Sequence, residues 1–228
     1  MADNRITKQR VVNHWHYGWW KYVLWAIATW IGIDLLFSMT AYRPPEEKKI
    51  QLYMCNGYAD TERLAADLWP ALLEACPGQE ELTGVNINLL QEDYYAQMQF
   101  TTYIAAQEGD VCLLPLKEVR TLAADGAEYA FVDLMPYVES GVIKAQDIDL
   151  EPGMLTREDG TRSLYAIPAD TLYGLYEYGC DPQGGLLCAM VYGGNDDTAA
   201  TLIGQMIERF KMERPSGGES AVQTQIFQ

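Results

Sequence analysis

The chain has 228 residues and carries 16 Lys plus Arg against 32 Asp plus Glu, a formal net charge of -16. That balance excludes a nucleic-acid binder, which presents a basic footprint. With 49% hydrophobic and 21% charged residues the chain is globular rather than disordered. Its 5 cysteines include no C-x-x-C pair, which excludes a zinc ribbon or a thioredoxin-type motif.

The first element is apolar and long. Residues 23–37 read VLWAIATWIGIDLLF, and from Tyr22 to Tyr42 the one charge is Asp34. A helix needs ~20 such residues to cross the hydrocarbon of a bilayer. The preceding WHYGWWKY run has the Trp and Tyr content of an interfacial belt. The sequence therefore predicts a cytoplasmic tail over 1–18, an uncleaved transmembrane signal anchor over 19–42 and a Pro-containing linker over 43–48. Residues 49–212 would form the main domain and 213–228 a flexible tail. Arg5, Lys8, Arg10 and Lys21 precede the apolar run. Residues 1–50 hold 7 basic and 4 acidic side chains, leaving 9 basic and 28 acidic for the remainder. The basic residues before the run, against Arg43, Lys48 and Lys49 partly offset by Glu46 and Glu47 after it, predict a single-pass cell-membrane protein with its N-terminus in the cytoplasm and its main domain extracytoplasmic, and the bulk charge agrees. Asp34 either reaches toward the interface or meets a partner helix, since a charge at a helix centre costs ~2.5–3.5 kcal/mol in lipid.

Beyond the linker, strands and helices alternate. Residues 49–55 (KIQLYMC) read as a strand, and 61–76 as a helix with Leu64, Leu68, Trp69, Leu72 and Leu73 at helical spacing and Asp60 as N-cap. Residues 85–90 form the next strand, 93–107 a helix, 110–114 a short buried strand, and 117–124 a helix ending at Gly126. This order implies an α/β fold, a mostly parallel sheet with helices on both faces. Asp159-Gly160 marks a hairpin within 154–167, and 185–192 (GLLCAMVY) is another apolar strand. The domain closes with a helix over 195–212. Its buried face is Ala199, Leu202, Ile203, Met206 and Phe210, and Asn195, Asp196 and Asp197 are its capping residues. Cys55, Cys112 and Cys188 fall in apolar strand runs and read as core residues.

Three segments in order carry a resemblance. They are Ala105-Ala106-Gln107-Glu108-Gly109-Asp110-Val111, then residues 132–143 (VDLMPYVESGVI), then Leu164-Tyr165-Ala166-Ile167-Pro168. Over 49–212 the chain resembles bacterial extracellular solute-binding proteins, the receptors of ABC importers. The resemblance implies one lobe of a periplasmic-binding-protein-like fold and a link to solute uptake. Members of that family trap ligand between two lobes. Here the GLLCAMVY run and the closing helix come within about twenty residues of Pro168, so the chain is expected to supply a single lobe.

Ligands of open α/β sheets bind beyond the carboxyl ends of the strands. Asn56, Tyr58, Glu92, Tyr94 and Asp170 follow those ends and suit a sugar or another small polar solute. Both histidines, His14 and His16, lie in the N-terminal run, so the main domain has no Ser-His or Cys-His arrangement. G-x-S-x-G, H-E-x-x-H and P-loop motifs are absent from the sequence. The acidic stretch from Asp147 to Glu158 echoes a calcium loop but has Pro152 where that loop needs glycine. The expectation is a non-catalytic module with no cofactor and no metal. Its partners would be the bilayer, a small polar ligand, and an ABC transporter or other envelope protein. The rival expectation is a ligand-free envelope scaffold that docks another protein.

Overall fold

The computed structural model describes residues 8–40, 49–55, 59–77, 82–90, 94–106 and 108–212. The chain divides into two compact units, Met1–Pro44 and Pro45–Gln228.

In the first unit helix α1 spans Lys8–Thr40. Its large side chains from Trp19 to Leu36 are exposed, Trp25 and Trp30 each at 74%. The segment is helical as expected, but the transmembrane span is not found. Among the described residues no helix is long and apolar enough to cross a membrane. The physical reason is composition. Lys21 and Asp34 are charged, and Trp19, Trp20, Tyr22, Trp25 and Trp30 are interfacial rather than hydrocarbon-seeking side chains. Asp34 is exposed on this helix.

The second unit is a sheet between two helical layers. Strand β1 (Lys49–Cys55) leads into helix α2 (Thr61–Ala75), β2 (Gly84–Leu90), α3 (Tyr94–Ala105), β3 (Val111–Pro115) and α4 (Leu116–Leu122). After a short helix α5 (Met135–Glu139) come the hairpin β4 (Met154–Thr156) and β5 (Arg162–Leu164), then β6 (Ala166–Pro168), β7 (Gly185–Ala189) and α6 (Asp196–Phe210). The main sheet has five strands in the order β2-β1-β3-β7-β6. β1 pairs parallel with β2 and β3, while β7 pairs antiparallel with both β3 and β6. The sheet is thus mostly parallel, with β7 alone reversed.

Alternation along the strands decides the two cores. Ile50, Leu52 and Met54 of β1, with Val85 and Ile87 of β2, face α2 and α6. Tyr53, Cys112, Leu114, Leu186 and Cys188 face the other way, where Val119 of α4 and the α3 side chains Phe100, Tyr103 and Ile104 cover them. A period of two in the strands meets a period near 3.6 in the helices, so each helix presents one apolar stripe to one sheet face.

Local signals act as read. Asp60 caps α2, accepting the Arg63 N–H at 3.1 Å. The Asp159-Gly160 turn closes the hairpin, with Arg157 N–H donating to the Thr161 carbonyl at 2.8 Å. All five residues expected on the inner face of α6 are buried.

Two boundaries and one cap differ. α4 ends at Leu122, short of Gly126, which instead opens a short 3-10 turn over Ala127–Tyr129. The last strand stops at Ala189, and Val191–Gly193 turns away as 3-10 helix. Asn195 is the N-cap of α6, yet its side chain makes no capping bond. It donates to Asp110 Oδ1 at 3.4 Å instead. Asp196 and Asp197 lie in the first turn, where their charge complements the helix dipole.

Asp110 is the buried polar junction of this unit, 5% exposed. Its Oδ2 accepts the Gln51 N–H at 2.8 Å, and its own N–H donates to the Gln51 carbonyl at 3.1 Å. Its carbonyl accepts the Met190 N–H at 2.8 Å. One aspartate therefore ties the start of β3 to β1, to the chain after β7 and to the start of α6. Burial pushes its carboxyl above the ordinary carboxylate range, and the bonds from Gln51 and Asn195 only partly oppose this.

Candidate functional site

The parallel strands end on one side of the sheet, and a cleft of about 200 Å³ opens there. Cys55 at the end of β1 and Leu113, Leu114 and Pro115 of β3 line it, facing Asp181, Gln183, Gly184 and Gly185 from the loop that enters β7. Because β7 is reversed, its first residue lies at the carboxyl end of its neighbours. Pro115 is paired with Gly185.

The loop wall is built by hydrogen bonds. Asp181 Oδ1 accepts the Gln183 N–H at 2.9 Å and the Tyr176 hydroxyl at 2.8 Å. The Gly185 N–H donates to the Pro182 carbonyl at 3.1 Å, closing a tight turn. Gly184 has φ 69°, a left-handed conformation that a side chain disfavours. A Cβ on Gly185 would come within 2.9 Å of Leu113 Cδ1 and 3.1 Å of the Pro182 carbonyl oxygen, so the loop packs closely on β3 here.

Asp170 anchors the wall from behind. Its Oδ1 accepts the Gly184 N–H at 2.7 Å, and its carbonyl accepts Gln183 Nε2 at 2.8 Å. Of the five residues expected at the site, Asp170 is thus at the cleft margin as a positioning residue. Tyr94 is the first residue of α3. Asn56, Tyr58 and Glu92 lie outside the described residues. The lining residues Asp181, Gln183, Gly184 and Gly185 were not anticipated. Their signal was the Asp-Pro-Gln-Gly-Gly run before an apolar strand, which reads as a turn and not as a site.

Replacing Asp170 by Ala leaves the Gly184 N–H without its acceptor. The expected result is at least a tenfold loss of amide-exchange protection at Gly184, with a global cost of about 1 kcal/mol. Unchanged protection at Gly184 would show that Asp170 does not hold the loop.

The cleft's chemistry is a thiol, an apolar floor and a rim of amide, carboxylate and backbone groups. Among the described residues no group of three or more His, Cys, Asp or Glu is placed to hold a metal ion.

No protein-family model matches the chain. No curated protein matches it either. Partial likenesses to solved structures include the following solute-binding proteins. An extracellular solute-binding protein family 1 member from Alicyclobacillus acidocaldarius is 18% identical, with a TM-score of 0.37, over 53% of this chain and 28% of that one. The N-glycan transport solute binding protein NgtS from Streptococcus pneumoniae is 16% identical, with a TM-score of 0.38, over 58% of this chain and 30% of that one. The same protein in complex with Man5GlcNAc gives 16% identity and a TM-score of 0.37, over 53% of this chain and 24% of that one. The similarity thus spans about a quarter to a third of the length of these proteins.

Proposed function

We propose that the chain is a non-catalytic solute-binding module whose α/β unit receives a small polar ligand at the carboxyl ends of β1 and β3. The observation that carries this reading is the cleft at those strand ends, with one wall built from the loop before β7. That is where open α/β sheets bind ligands. The ordered resemblance through 105–111, 132–143 and 164–168 agrees with it. In this reading Asn56, Tyr58, Glu92 and Tyr94, which follow the ends of β1 and β2 in sequence, supply ligand contacts. The module works outside the cytoplasm, held at a bilayer surface through the exposed aromatic side chains of α1, and hands its ligand to an ABC transporter. Asp34 then faces a partner in that assembly.

The size of the cleft favours a second reading. At about 200 Å³ it is below the ~300–1,000 Å³ of sites that enclose a drug-sized ligand. A protein partner that covers the cleft, with the unit acting as an envelope scaffold, fits that volume.

A thermal-shift screen of the full chain against monosaccharides, oligosaccharides, amino acids and short peptides separates the two. A ligand at 100 times its Kd adds about 2.7 kcal/mol to native stability. The expected result is a saturable rise in Tm for one polar class, abolished by Tyr58→Ala or Glu92→Ala. A flat panel from a well-folded chain would reject the solute-binding reading and leave the docking one.

A further inference from the structure

Three thiols occupy one face of the main sheet. Cys55 ends β1, Cys112 lies in β3 and Cys188 in β7. β3 and β7 are antiparallel, and their register sets Cys112 directly opposite Cys188. Opposed residues of an antiparallel pair project to the same face with Cα atoms about 4.5 or 5.5 Å apart. Both spacings lie inside the roughly 4.4–6.8 Å that a disulfide spans. Both side chains are in the same apolar layer, 1% and 0% exposed, and both are free thiols. Burial pushes the Cys112 thiol up, with Cys188 and then Cys55 as further contributors. Cys188 is pushed up by burial as well. Neither is therefore a reactive thiolate while the sheet is closed.

We propose that Cys112 and Cys188 form a cross-strand disulfide when the chain meets an oxidised small-molecule disulfide before β3 and β7 close, or while they are open. A thiolate of one cysteine attacks the oxidant's S–S bond, giving a mixed disulfide and one released thiol. The second cysteine's thiolate then attacks the protein sulfur of that mixed disulfide and expels the second thiol. The protein loses two electrons and two protons, and the oxidant is reduced to two thiols. The bond would staple β7 to β3 directly beside Leu113, Leu114, Pro115 and Gly185, the floor and one wall of the cleft. It would also hold the reversed strand in the register that the cleft requires.

The test uses the full chain, equilibrated with a reduced and oxidised glutathione couple in sub-denaturing urea. It is then alkylated in denaturant and mapped without reduction. The expected result is a linked peptide pair containing Cys112 and Cys188, with full yield retained in Cys55→Ser. The bridged chain should melt on the order of 10 °C higher than the reduced chain, and a reductant should abolish the difference. Complete alkylation of both cysteines, or a linkage of Cys112 to Cys55, would overturn the assignment.

Discussion

Gly204→Ala should destabilise the α/β unit by about 2–4 kcal/mol, although the same change in an isolated helix would stabilise it by ~1 kcal/mol. Gly204 lies in the middle of α6 and is buried. A Cβ there would sit 2.4 Å from the Val142 carbonyl oxygen, a backbone atom that cannot turn aside. The neighbouring backbone is held, since the Ile143 N–H donates to the Tyr137 carbonyl at 3.0 Å. Relief would require α6 to move, and α6 buries Leu202, Ile203, Met206, Ile207 and Phe210 against the sheet. Urea unfolding of the variant, beside Gln205→Ala as a control within about 0.5 kcal/mol, reads the effect. A Gly204→Ala chain as stable as the parent would mean that α6 does not approach the 142–143 backbone so closely.

Asp110 carries the second large effect. Asp110→Ala removes the acceptor of the Gln51 N–H and the partner of the Asn195 amide, and should cost about 2–4 kcal/mol at neutral pH. Asp110→Asn keeps an oxygen for the Gln51 N–H and should cost less. The two states of the parent's carboxyl differ in a direction that can be measured. Its folded pKa is raised, chiefly by burial, so the native state binds the proton more tightly than the unfolded chain does. Stability from this group is fully present below the unfolded value near 4 and is lost as pH rises through the folded value. The stability of the parent relative to Asp110→Asn should therefore fall as pH rises above about 4. The many other carboxylates cancel in that difference. A difference that is flat or rises with pH would show that Asp110 is not desolvated in the native state.

The same aspartate shows how much of the fold is legible from residues alone. Asp110 belongs to the Gly-Asp-Val turn that carries part of the family resemblance. The structure explains that residue as a junction of β1, β3 and α6, away from the cleft. The turn is thus a mark of architecture rather than of ligand chemistry. Asn195 teaches a related lesson. Its position at a helix start was readable, but tertiary competition for its side chain, won by Asp110, was not.

The candidate site was legible in place and not in membership. Strand ends are readable because each run of β-type residues stops at polar or turn-forming ones. The membership depended on which way β7 runs. GLLCAMVY is apolar throughout, and an apolar run has the same pattern in either direction. Only its antiparallel pairing with β3 and β6 brings the Asp181–Gly185 loop to the carboxyl ends of β1 and β3.

By itself the sequence determined the order and kind of the elements from β1 to α4, the α2 cap, the Asp159-Gly160 hairpin and the inner face of α6. These are set by local chemistry and by periodicities of two and 3.6 residues, which survive in a linear string. The tertiary structure alone decided strand direction, the need for Gly204, the Asp110 junction and the meeting of Cys112 with Cys188. Each of these depends on which distant backbone lies within a few ångströms, and close packing decides that only when the chain is folded.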